Sequence, residues 1–90
     1  MLAERRRSRL LIIYEMLESV SKGRIPKTTI MYRARLNFSQ MQQYLNLLLE
    51  RGLIKEVREG ERTTYEITEQ GKIFLDAYRT IEQVITKKEK

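Results

Sequence analysis

The run from Asn37 to Thr68, NFSQMQQYLNLLLERGLIKEVREGERTTYEIT, decides the fold because its hydrophobic period changes part-way along. Up to Glu50 the apolar residues Met41, Tyr44, Leu45 and Leu48 recur at helical spacing. Beyond Gly52 the period drops to two. Leu53, Lys55 and Val57 alternate with Ile54, Glu56 and Arg58, and Tyr65 and Ile67 alternate with Thr64 and Glu66. A helix followed by a hairpin is expected, with Gly52 stopping the helix and Gly60 making the turn. Asn37 with Gln40 three residues on has the form of a capping box. Leu36 and Met41 stand where a hydrophobic staple closes, so the helix starts at Phe38.

The polar side of that helix is uncharged. A third of the 90 residues carry charge, so the segment Leu36 to Leu49 would hold roughly four to five charges if it merely faced solvent. It holds none. Ser39, Gln43, Asn46 and Glu50 lie opposite the apolar stripe, flanked by Gln40 and Gln42. Side-chain amides both donate and accept hydrogen bonds, which suits Gln40, Gln42, Gln43 and Asn46 to adenine edges, and the Ser39 hydroxyl can meet any base. The plainer reading, a solvated face of good helix formers, leaves the missing charges unexplained. Phe38 and Tyr44 are assigned to the core at this spacing.

Working outward, Leu10, Ile13, Tyr14, Leu17 and Val20 predict a first helix from about Glu4 to Ser21, stopped by Gly23 and Pro26. A second, short helix starts near Pro26 and turns Ile30, Met31 and Ala34 inward, with Arg33 and Arg35 on or near the other face. Thr68 caps a closing helix to Lys87, whose stripe is Phe74, Ala77, Tyr78, Ile81, Val84 and Ile85. The lysine-rich end, TKKEK, is expected to fray. This order, mainly α with a small β-hairpin, is that of a winged helix-turn-helix in a single domain over 1–90. Residues 1–68 form three helices and the wing, and 69–87 a C-terminal dimerisation helix.

Charge is clustered within the net +6. Residues 1 to 9 carry Arg5, Arg6, Arg7 and Arg9 against Glu4, and residues 22 to 35 carry Lys22, Arg24, Lys27, Arg33 and Arg35 without an acid. Such clusters fit a polyanionic partner or, more plainly, a solvated basic surface. Lys27, Thr28, Arg33 and Arg35 are the expected phosphate contacts. The wing is balanced, because Arg58 and Arg62 alternate with Glu59 and Glu61. They could reach a groove or a phosphate, or form ion pairs within a solvated hairpin.

Cysteine and histidine are absent, which removes disulfides, imidazole bases and the usual zinc and iron ligands; no metal or cofactor is expected. Ser8, Ser19, Ser21 and Ser39 have no histidine to activate them, and the carboxylates are dispersed, so an enzyme is not expected. The apolar run Leu10 to Tyr14 is too short for a signal peptide, and no stretch approaches a membrane span. A cytoplasmic, nucleoid-associated protein without a membrane partner is the expectation.

The stretches IPKTTIMYRARLNFSQMQQYLNLLLERGLIKE (25–56) and YEITEQGKIFLDAYRTIEQ (65–83) resemble a family of archaeal winged-helix proteins. That family includes small predicted transcriptional regulators and the ten-kilodalton coiled-coil chromosomal DNA-binding protein, and the similarity runs over roughly residues 8 to 85. The resemblance implies a homodimer on double-stranded DNA, paired through the closing helix. Ala77, Ile81, Val84 and Ile85 are the expected pairing residues, since an apolar stripe there is left in water without a second subunit. A transcription regulator leads over an architectural chromosomal protein with little sequence preference and over a winged helix that docks a protein through Leu47 and the amide face.

Overall fold

The computed structural model describes residues 7–86, as four helices and a two-stranded antiparallel hairpin. In chain order these are α1 (Arg9–Val20), α2 (Lys27–Arg33), α3 (Phe38–Glu50), β1 (Ile54–Glu59), β2 (Arg62–Ile67) and α4 (Glu69–Thr86). The expected fold class holds: mainly helical, with the helix order and hairpin of a winged helix-turn-helix. The expected helix start at Glu4, the helix end at Lys87 and most of the lysine-rich end lie outside the described residues. Within them, Ser8 is extended and its hydroxyl accepts the Leu11 amide, so α1 begins at Arg9.

The core gathers around α1. Met16, Leu17 and Val20 are buried there with Ile30, Ala34, Met41, Leu45, Leu48 and Ile54. Leu10, assigned to the α1 stripe, is instead exposed, and Ile12 and Met16 take the inward positions. The buried arc of α1 is therefore rotated away from the expected one. Tyr14 lies on the side facing α4, stacked on Tyr78 with ring centroids 4.5 Å apart.

Both helices of the helix-turn-helix end in the same motif. In α3 the Leu53 amide donates to the Leu48 carbonyl and the Gly52 amide to Leu49, with Gly52 left-handed at φ +71°. In α2 the Leu36 amide donates to Met31 and the Arg35 amide to Tyr32, but the left-handed residue is Arg35, at φ +55°. The expected capping box on α3 is present: the Gln40 amide donates to Asn37 Oδ1 at 2.8 Å, and the Asn37 amide to Gln40 Oε1 at 3.2 Å.

The hairpin pairs Ile54 with Ile67 through to Glu59 with Arg62, leaving Gly60 and Glu61 as its turn. A third, one-residue strand joins it, because the Ile25 and Tyr65 amides each donate to the other's carbonyl. Pro26 follows at once and cannot extend the ladder. Thr68 ties α4 to the end of α3. Its hydroxyl donates to the Gly52 carbonyl at 2.6 Å and accepts the Gly71 amide at 3.1 Å, and its own amide donates to Leu53. Gly71 then passes so close to Leu53 and Ile67 that a Cβ there would collide with the Leu53 carbonyl oxygen.

Candidate nucleic-acid interface

α3 is held by burial along one side and a cap at each end, so its opposite side is presented by a rigid element. Met41, Leu45 and Leu48 point into the core, and Ser39, Gln40, Gln43 and Asn46 are exposed. Gln42 is half-buried, and Gln40 has its carbonyl oxygen engaged in the capping box. Leu47 is half-buried against the core rather than exposed, with the rest of its side chain on the cleft beside Gln43 and Asn46.

Cations flank this amide face on both sides. On one flank the Lys27 ammonium, in the first turn of α2, lies 3.5 Å from Gln42 Oε1 and 5.7 Å from the centre of the Phe38 ring. On the other, Arg9 borders an open cleft of about 470 Å³ with Gln43, Tyr44, Asn46, Leu47 and Glu50. Sequence reasoning counted Arg9 only as part of a charge cluster, since nothing local ties the start of α1 to the far side of α3. Phe38 corrects the sequence reading: it is 58% exposed, because as the first helical residue it sits on the edge of the helix beside Lys27. Tyr44 is half-buried against the core, as assigned.

The expected phosphate contacts are separated by the length of α2. Lys27 and Thr28 border a cleft with Glu56, Thr63 and Tyr65 of the hairpin. Arg33 and Arg35, at the other end, line a cleft of about 330 Å³ with Glu15, Glu18, Lys22 and Arg79. There the Arg33 guanidinium donates to the Ser19 carbonyl at 3.2 Å, and Arg35 lies 3.7 Å from Glu15. Arg7 is similarly engaged, since its guanidinium pairs with Glu15 and donates to the carbonyls of Ala34 and Arg35 at 2.6 and 2.7 Å. Arg5 and Arg6 lie outside the described residues.

The hairpin does not pair its own tip charges. Arg24 reaches Glu59 at 2.9 Å and Glu66 at 3.2 Å, and Lys55 reaches Glu66 at 3.5 Å. Arg58 and Arg62 are exposed and form no ion pair among the described residues.

The sequence pattern of the family described as winged helix-turn-helix matches residues 6–86. This chain belongs to that family. It is 33% identical to the uncharacterized protein MJ0287 of Methanocaldococcus jannaschii over 86% of this chain and 76% of that protein. The crystal structure of Sso10a-2, a DNA-binding protein from Sulfolobus solfataricus, superposes with a TM-score of 0.78 at 27% identity, covering 87% of this chain and 81% of that one. The homodimeric winged helix-turn-helix DNA-binding domain Mb0332 from Mycobacterium bovis shares the fold, with a TM-score of 0.70 at 18% identity over 88% and 75% of the two chains. The resemblance carried by residues 25–56 and 65–83 is thereby borne out. Among the described residues no helix is long and apolar enough to cross a membrane.

Proposed function

We propose that this chain is a homodimeric DNA-binding transcription regulator that lays α3 in the major groove. The observation that carries this reading is the exposed amide face of α3, without a charge from Phe38 to Leu49, between Lys27 and Arg9. Cations at the rims neutralise phosphates, and amides between them meet base edges; this is the division of labour between positioning and specifying contacts. Ser39, Gln40, Gln42, Gln43 and Asn46 are the proposed base readers. Lys27, Thr28, Arg33 and Arg35, with Arg9, take phosphates, and Arg58 and Arg62 of the hairpin extend the contact. The relationship to Sso10a-2, itself a DNA-binding protein, supports the same reading.

Pairing through α4 completes the proposal. Phe74 and Tyr78 are half-buried, but Ile81, Val84 and Ile85 are 59%, 72% and 74% exposed, with Ala77 and Ile73 exposed on the same side. A second copy covering this stripe would remove it from water and bring two copies of α3 to one duplex.

Mapping the DNA bound in cells separates a regulator from an architectural protein. Sharp peaks sharing a sequence are expected; uniform coverage would assign the chain to chromosome packaging, and no recovered DNA would reject the interface.

A further inference from the structure

Phe38 has no role in the core and none in the capping box, yet it stands on the flank of α3 that bears Gln42 one turn on. An exposed phenyl ring in the first turn of a helix is costly to leave in water unless something apolar covers it. Lys27 covers only one part of it, as a cation over the ring. The same ammonium fixes what Gln42 can do. Lysine is only a donor, so the amide atom it meets at 3.5 Å is the oxygen, and the Gln42 NH₂ is left as the outward group.

A ring and an amide donor on one flank match one base edge in the major groove. Thymine presents the C5-methyl group and the O4 acceptor; cytosine presents a donor and no methyl, so it would set donor against donor. Resting on the proposed DNA-binding role, we infer that Phe38 and Gln42 together read thymine, the ring on the 5-methyl group and the amide NH₂ on O4, while Lys27 holds both side chains. Phe38 is thus a specificity-determining residue beside the amides.

The test uses the tightest duplex selected from a random library by the full-length protein, synthesised once with thymine and once with uracil, which keeps O4 and lacks the methyl. Wild type is expected to bind the thymine duplex about fourfold tighter for each methyl contacted, the worth of one buried group of that size. Phe38→Ala should bind both duplexes equally, and Gln42→Ala should bind both more weakly while keeping the thymine-to-uracil ratio. Phe38→Leu, which retains an apolar side chain, should keep part of that ratio and serves if the alanine variant fails to fold. Equal wild-type affinities would overturn the thymine assignment while leaving DNA binding intact, as would an undiminished ratio in Phe38→Ala. Wild type binding neither duplex would reject the DNA-binding reading itself.

Discussion

Gly71 and Asn37 mark what single residues do here. Gly71 is helical and needs no unusual backbone; it is glycine because the Leu53 carbonyl and the Ile67 side chain occupy the place of a Cβ. Gly71→Ala must push α4 off the hairpin, and an overpacking cost of about 1–3 kcal/mol is expected. A urea titration reads this as a lowered midpoint at unchanged slope; an unmoved midpoint would mean that α4 yields freely. Nothing in the sequence around Gly71 announces this contact, since the colliding carbonyl belongs to Leu53, on the far side of the hairpin in the chain. Asn37, Gln40 and Gly52 were legible because their partners lie within a few residues. Phe38 was misread for the opposite reason: whether an aromatic at a first helical position turns inward depends on a neighbour, Lys27, that spacing along α3 cannot reveal.

Among the elements, α2 and α3 make the sharpest contrast, because the same C-terminal motif carries glycine in one and arginine in the other. A left-handed arginine costs about 1 kcal/mol relative to glycine. Arg35→Gly is expected to raise the melting temperature by about 4–8 °C, as about 1 kcal/mol does in a domain of this size. The same change should lower the salt slope of DNA binding by about 0.9 if the guanidinium meets a phosphate. A raised melting temperature with an unchanged slope would leave Arg35 to the cleft with Glu15. For Lys27→Ala a loss is expected on every DNA sequence, with a similar drop in slope measured by titration at several salt concentrations, and a larger loss on the selected duplex because Phe38 and Gln42 lose the ammonium that holds them. The hairpin was legible from its alternation and Gly60, whereas its one-residue bridge to Ile25 was not, since a single pair leaves no period. Its ion pairs were hidden too: Arg24, far back in the chain, takes Glu59, one of the two carboxylates that alternate with Arg58 and Arg62, together with Glu66.

For the whole molecule, the helix order, the hairpin and the exposed end of α4 followed from periodicity, while the packing of α1 on α4 did not. Periodicity makes the α1 stripe one face, whereas the stacked Tyr14 and Tyr78 divide it between the core and α4. The Ile81, Val84 and Ile85 stripe should make wild type a dimer at micromolar concentration in analytical ultracentrifugation. Ile81→Glu with Ile85→Glu should yield a folded monomer that binds DNA far more weakly, because two tethered contacts add through effective concentration. A wild-type monomer, or a double variant still dimeric, would refute the pairing. The central claim, that the charge-free face of α3 reads DNA, is tested most directly by competition between a selected duplex and random DNA at fixed salt, using wild type and Gln43→Ala and Asn46→Ala. Each variant is expected to lose about 1–3 kcal/mol of preference for the selected duplex, as base-edge contacts do, with binding to random DNA nearly unchanged. Equal losses on both DNAs, or none on either, would contradict it.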